Sequence, residues 1–216
     1  MPVDAPAYPV NLLLEGRRVL VVGGGEVAAS KVRGLLDAHA IVHVVAREVS
    51  QSVRALAVTW DERPYERGEV VGYRLAVACT DDPAVNQAVF DDGEATGVWV
   101  NAADDPERCS YTLPARADRG RLLVTVSTSG HSPALASWLR DQLASTLGPE
   151  HDALLDLLVE ARASLVAEGR TRPPADWRHA LDSGMLDLIR SGRATEARAL
   201  LHSSLGLVEP PSTEPR

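Results

Sequence analysis

Short apolar runs alternate with segments of helical periodicity through the first half of the chain. Val19–Val22 predicts a first strand, and Glu26–Ala38 a helix with Val27, Leu35 and Leu36 available for its buried side. Ile41–Val45 predicts a second strand, Ser50–Leu56 a short helix, Val58–Trp60 a third strand and Leu75–Ala78 a fourth. Asp81-Asp82-Pro83 then supplies an N-cap candidate and a proline near the first helical position. The helix it opens should run to about Glu94, and a fifth strand, Val98–Val100, ends at Asn101. Strands alternating with helices predict a parallel α/β sheet.

The pattern changes after Pro106. Cys109–Leu113 and Leu122–Ser127 both read as strands, separated by Pro114–Gly120. That spacer is too short for a full crossover helix, but it suits an antiparallel connection or a pairing with another subunit. Ser132-Pro133 opens a helix to about Leu147, which Gly148-Pro149 stops. His151–Glu168 carries Leu154, Leu155, Leu158, Ala161 and Leu165 at helical spacing, and short helices are expected near Asp176–Arg190 and Thr195–Leu205. From Glu209 the chain is proline-rich and is expected to be a disordered tail.

With 216 residues, 45% of them hydrophobic, the chain can bury one sizeable core, or one core plus a smaller helical one. A formal net charge of -8 argues against general nucleic-acid binding. The two cysteines, Cys79 and Cys109, form neither a metal motif nor a disulfide framework, which suits a reducing cytoplasm, and each reads as an apolar filler. No signal-peptide pattern is seen at Met1–Pro9, no apolar run approaches a membrane span, and the histidines show no metal-ligand spacing.

The chemistry begins at the turn after the first strand. Gly23, Gly25 and Ala28 fit the G-x-G-x-x-G/A dinucleotide fingerprint, with a strand before it and a helix after. A helix N-terminus offers unpaired N–H groups to a pyrophosphate, so Gly23, Gly25, Glu26 and Val27 are cofactor candidates. The acid expected at the end of the second strand to hold the adenosine ribose is displaced. Arg47 and Glu48 stand there: Glu48 could serve the ribose of NAD, whereas Arg47 would suit a 2′-phosphate, and a plain solvated pair is the third reading. Thr80 follows the fourth strand, where ligands of open parallel sheets sit.

Four segments in order carry a resemblance: Gly23-Gly24-Gly25-Glu26-Val27-Ala28, Ala78-Cys79-Thr80-Asp81-Asp82, Asn101-Ala102-Ala103-Asp104-Asp105-Pro106, and Ser127-Thr128-Ser129-Gly130-His131-Ser132-Pro133-Ala134. Together they resemble the precorrin-2 dehydrogenase family, some of whose members also insert ferrous iron as a substrate to make sirohaem. The resemblance implies an NAD-binding Rossmann domain over 1–113, a dimerisation segment over 114–148 and a small helical domain over 149–208, ahead of a tail at 209–216. It implies a homodimer acting on the tetrapyrrole precorrin-2, with no nucleic-acid or membrane partner and no resident metal. The family's key aspartate maps onto Asp104, which keeps the Asn-x-x-Asp spacing from Asn101. As base, it would take the proton released when precorrin-2 gives up a hydride. The substrate is a polycarboxylate, so Asn101, Arg116, Ser127, Thr128, Ser129 and His131 are the substrate-binding candidates; turn formation and helix capping are the competing roles of the serine-rich segment. From another class, a non-catalytic NAD-sensing module would share the glycine turn without needing Asp104 or that segment.

Overall fold

β1 (Arg18–Val22) is apolar at four consecutive positions, and all four are buried. Such a strand is stable only with neighbours on both edges and cover on both faces, as in a parallel sheet. The computed structural model, which describes residues 6–103, 105–171 and 173–207, shows that arrangement. β2 (Ile41–Ala46), β3 (Thr59–Glu62), β4 (Leu75–Ala78) and β5 (Trp99–Ala102) join β1 in the order β3-β2-β1-β4-β5. Every pairing in this sheet is parallel.

Alternate side chains serve opposite faces. Val19 and Val21 of β1 join Val42, Val44 and α1 (Glu26–Asp37) on one side. Leu20, Val22, Val45, Ala76 and Val100 join Val89 of α3 (Pro83–Thr96) on the other. The buried stripe of α1 is Ala28, Ala29 and Val32, with Leu35 and Leu36 packed beside it. Val27 lies off that stripe and is exposed, which corrects its expected place in the core. α2 (Gln51–Arg54) is shorter than expected and is capped by Ser50, whose hydroxyl accepts from Val53 N–H at 3.4 Å. Of the two candidate caps before α3 it is Asp82 that acts, accepting from Ala84 N–H at 2.9 Å.

The return from β3 to β4 carries no helix; residues 63–74 are a loop. Its anchor is Asp92, buried on α3, which accepts from Tyr65 O–H, Arg67 Nε–H and Gly68 N–H, each at 2.7 Å. Burial pushes the Asp92 carboxyl up, but Arg67, Gly68 N–H and Tyr65 together hold it below its usual value. Cys109–Leu113 is not a strand. Only Cys109 bridges antiparallel to Asn101, and Asn101 Nδ2 then holds the Tyr111 carbonyl at 3.0 Å, so a side chain does the work of a ladder.

The chain divides into two units. The sheet unit runs to Pro114 and also takes in Ser127–Pro133; the second unit takes Ala115–Val126 and the chain from Ala134 onward. In the second unit β6 (Ala115–Arg119) and β7 (Leu122–Val126) form an antiparallel hairpin. α4 (Pro133–Ser145), α5 (Pro149–Ala167), α6 (Pro174–Leu181), α7 (Met185–Arg190) and α8 (Ala194–Leu205) follow. The helical core gathers Leu157, Ala161, Leu165, Met185, Leu201 and Leu205. Leu157 rather than Leu155 belongs to that core, and the expected helix near Asp176–Arg190 divides at Gly184, whose φ of 90° no helix continues. The expected tail at 209–216 lies outside the described residues.

Asp92→Asn should cost about 1–3 kcal/mol at neutral pH, because three donors lose a charged acceptor. Since the folded carboxyl sits below its unfolded value, its contribution is complete above the unfolded pKa of about 3.9 and is lost as pH falls through the folded one. Urea denaturation of both proteins from neutral to acid pH should therefore show the two stabilities converging in acid; a constant gap would refute the assignment.

Candidate functional site

The strand order reverses between β1 and β4. The chain leaves β1 outward through β2 and β3, then returns to β4 on the other side, and the loops leaving β1 and β4 part to open a crevice at the carboxyl ends. A cleft of ≈ 810 Å³ opens there. It is lined by Val22–Val27, by Val45–Glu48 with Ser50, by Pro64 and Tyr65, and by Cys79–Asp82 with Val85 and Ala103. Every cofactor residue expected from sequence faces this space: Gly23, Gly25, Glu26, Val27, Arg47, Glu48 and Thr80.

The three glycines are required for three different reasons. Gly23 has φ +127°, and a Cβ there would lie 2.5 Å from the Cys79 carbonyl. At Gly24 a Cβ would come within 2.0 Å of the Glu48 carbonyl, so the turn lies flat against the exit of β2. At Gly25 a Cβ meets nothing within 4 Å. Gly25 is the N-cap of α1 and has no side chain to bond the first-turn N–H groups. Open space above uncapped donors at the positive end of a helix fits a pyrophosphate. Ala28, fully buried, takes the close-packing position of the fingerprint's last small residue.

A polar clamp holds one rim. Asn86, buried on α3, donates from Nδ2 to the Thr80 carbonyl at 3.0 Å, and its Oδ1 accepts from Thr80 N–H at 3.2 Å. The Thr80 hydroxyl lies 2.8 Å from the same Oδ1 and 3.0 Å from the Asp82 carbonyl, so its single proton serves one acceptor at a time. Sequence reading missed Asn86; its signal is a polar residue in line with Val89 and Gly93 on the buried face of α3. On the other rim Arg47 and Glu48 are exposed, and neither side chain has a hydrogen-bond or ion-pair partner among the described residues. Pro64 and Tyr65 were also missed, because the Asp92 anchor that brings them to the cleft joins residues far apart in sequence.

The thiol of Cys79, at the floor, donates to the Val22 carbonyl at 3.4 Å, and burial pushes its pKa up to about 12. It fills space and is no nucleophile at neutral pH. Asn101 must be reassigned. It is buried, and Nδ2 donates to the Tyr111 carbonyl and, at 3.4 Å, to Cys109 Sγ, which leaves neither amide proton for a substrate. Asp104 lies outside the described residues; Ala103, before it in sequence, lines the cleft. The Ser127–Ser132 segment is a tight turn: Thr128 Oγ1 accepts from Ser132 N–H at 3.1 Å, and Ser129 N–H donates to Ser127 Oγ at 3.2 Å. His131 N–H donates to the Thr128 carbonyl at 3.0 Å, and Ser129 and Gly130 both have positive φ. None of these turn residues lines the cleft. Arg116 belongs to the second unit, on β6, with Asp118 at 3.8 Å. Among the described residues no three His, Cys, Asp or Glu side chains converge as a metal site, and no helix is long and apolar enough to cross a membrane.

Known proteins resemble this chain in sequence and in fold. A family model described as "Putative NAD(P)-binding" matches residues 10–115, and one described as "Sirohaem biosynthesis protein central" matches 119–146. The siroheme synthase of Azotobacter vinelandii is 38% identical over 204 residues, covering 91% of this chain and 44% of its own length. That of Methylococcus capsulatus is 36% identical over 200 residues, with 89% and 42% covered. A solved precorrin-2 dehydrogenase, SirC, superposes with a TM-score of 0.67 at 26% identity, covering 93% of this chain and all of its own. The chain belongs to the precorrin-2 dehydrogenase and sirohaem synthase family. It spans less than half the length of the curated relatives. Every residue that lines the cleft at β1 and β4 falls within the stretch matched by the NAD(P)-binding model.

Gly25→Ala should fold as the wild type does, because φ -86° and ψ -166° suit alanine and the methyl meets no protein atom. It should nonetheless weaken NAD+ binding about tenfold or more, or about 1.4 kcal/mol, by filling the cradle. Gly24→Ala should instead lose about 1–3 kcal/mol of stability from overpacking. Thermal melts beside calorimetric NAD+ titrations separate the two effects; equal loss of stability in both variants would refute the division of roles.

Proposed function

We propose that this protein oxidises precorrin-2 to sirohydrochlorin with NAD as hydride acceptor. The observation that carries the reading is the dinucleotide cleft at the switch point, with Ala103 after β5 in its lining, in a chain whose relatives are siroheme synthases. SirC, of matching fold, is a precorrin-2 dehydrogenase by name.

Substrate oxidation releases a hydride and a proton. When bound, the dinucleotide supplies the hydride acceptor. The first-turn N–H groups of α1 hold its pyrophosphate, and Glu48 or Arg47 meets its adenosine end. Thr80, fixed by Asn86, borders the same cleft. Asp104 takes the proton. Ser127, Thr128, Ser129 and His131 engage substrate carboxylates through their side chains, with Arg116 as a further cation. Asn101 acts at one remove, by fixing the Cys109–Tyr111 stretch that returns after Asp104 in sequence. Ferrous iron is a second substrate in this proposal, consumed when sirohydrochlorin is converted to sirohaem. The setting proposed is a reducing cytoplasm, where Cys79 and Cys109 stay free thiols.

A second copy of the chain completes the assembly. The β6–β7 hairpin is a two-stranded ribbon, a form that is marginal without further cover. Leu123 on β7 and Leu135, Trp138 and Leu143 on α4 are all about half exposed or more, a set of apolar side chains that a partner hairpin and helix would bury. The resulting homodimer is the state proposed for the active protein.

Anaerobic turnover of precorrin-2 should produce NADH, and Asp104→Ala should lower the rate about a hundredfold or more, the scale of a lost general base. A variant with wild-type turnover removes Asp104 from the mechanism, and NAD+ binding without any turnover would favour a sensing module. A second arm with sirohydrochlorin and ferrous iron should give sirohaem above the spontaneous rate; absence of that excess restricts the activity to oxidation. Sedimentation should show a dimer for the wild type and a monomer for Trp138→Glu; an unchanged dimer would place the interface elsewhere.

A further inference from the structure

The segment leaving β2 bears Arg47 and Glu48 into the dinucleotide cleft, and it is gripped from two sides. On the cleft side Ser50 N–H donates to the Gly24 carbonyl at 2.9 Å, which ties the segment to the glycine turn. On the far side stands a pair that sequence reading had not singled out. Glu62 is the last residue of β3, in register with Ala46. Its Oε1 accepts from Val49 N–H at 3.0 Å and from Arg54 Nη2–H at 2.5 Å. Arg54, the last residue of α2, also donates from Nε to the Val49 carbonyl at 3.0 Å, so both backbone polar groups of Val49 are held. The Arg54 guanidinium lies over the Trp60 ring, 5.7 Å from its centroid, which fixes its plane.

We infer that the Arg54–Glu62 pair is a positioning device for the adenosine end of the dinucleotide: by clamping Val49 it sets where Arg47 and Glu48 stand, and so governs affinity for that half of the cofactor without touching it. The inference rests on the reading of the cleft as a dinucleotide site.

The pair's exposure supports this role over a purely structural one. Its side chains are 35% and 40% exposed, and exposed ion pairs contribute little to stability. Val49 itself is buried, but it is fixed as apolar core by its own side chain; the clamp acts on its backbone. The bonded atoms therefore act mainly on the path of the three residues Arg47–Val49. A displacement of about half an ångström to one ångström at a binding group is enough to lose most of its contribution. Arg47 and Glu48 have no side-chain partner of their own among the described residues, so their position follows the backbone that the glycine turn holds on one side and the Arg54–Glu62 pair on the other.

The test uses the full chain and four variants, Glu62→Ala, Glu62→Gln, Arg54→Met and Arg54→Lys, each titrated with NAD+, AMP and nicotinamide mononucleotide, beside thermal melts. Glu62→Ala and Arg54→Met should weaken NAD+ and AMP together, roughly tenfold, and leave nicotinamide mononucleotide unchanged. Glu62→Gln, which can still accept from Val49 N–H, should recover most of that loss; Arg54→Lys, which cannot bond Val49 and Glu62 in one fork, should recover little. Unchanged NAD+ and AMP affinity in the alanine and methionine variants overturns the inference. So does a parallel loss for AMP and the mononucleotide, which would mark general damage. A wild-type chain that binds neither NAD+ nor AMP overturns the reading of the cleft as a dinucleotide site, and this inference with it.

Discussion

The close approach of one glycine turn to two neighbouring strand exits is the constraint on which this protein depends. Gly23 lies against the Cys79 carbonyl after β4, and Gly24 against the Glu48 carbonyl after β2, at separations no Cβ could share. The turn is thereby wedged between the strands flanking β1, and α1 begins at a defined place and angle. Its uncapped N-terminus then faces the cleft. The apolar pattern of β1 builds the sheet, but this packing of backbone on backbone converts a sheet into a binding site.

Around that wedge the cleft is assembled from loops, and loops need anchors of their own. Each anchor is a polar side chain that satisfies backbone groups at a distance. Asn86 holds Thr80 from inside α3, Asp92 holds the long return between β3 and β4 from the same helix, and Glu62 with Arg54 holds the exit of β2. Asn101 does the same for the segment beyond β5. All of these residues stand at the ends of elements or on buried helical faces, where the rigid scaffold can dictate loop position. Residues that face the cleft need such support, because a site loose by an ångström forfeits much of its binding energy.

Much of this was legible in the sequence. The alternation of apolar runs and helical periods marked all five strands of the parallel sheet, with β4 placed at its observed limits. The glycine turn, Thr80 and the pair after β2 were all recognised, because fingerprint residues are local and their order along the chain is the order of the motif. Other features escaped because they depend on partners far away in sequence. Tyr65 reaches the cleft through Asp92, and nothing between the two in sequence records it. Cys109–Leu113 has the composition of a strand, yet the Asn101 side chain takes the Tyr111 carbonyl and ends the pairing after one bridge. Val27 was expected in the core from apolarity alone, but the phase of α1 turns it to the open cleft.

Sequence by itself determined the class of fold and picked out the glycine turn, Thr80 and the Arg47–Glu48 pair that line one cleft. Those follow from periodicity, from the conformational freedom of glycine and from the chemistry of single side chains, all of which are local properties. Tertiary structure decided which polar residues act at one remove. Asn101 and Asn86 look alike as candidates for a ligand, and both have their amide protons or oxygens committed inside the protein. A buried amide must satisfy its donors and acceptors wherever the fold places them, and only packing settles whether the partner is a substrate or a loop.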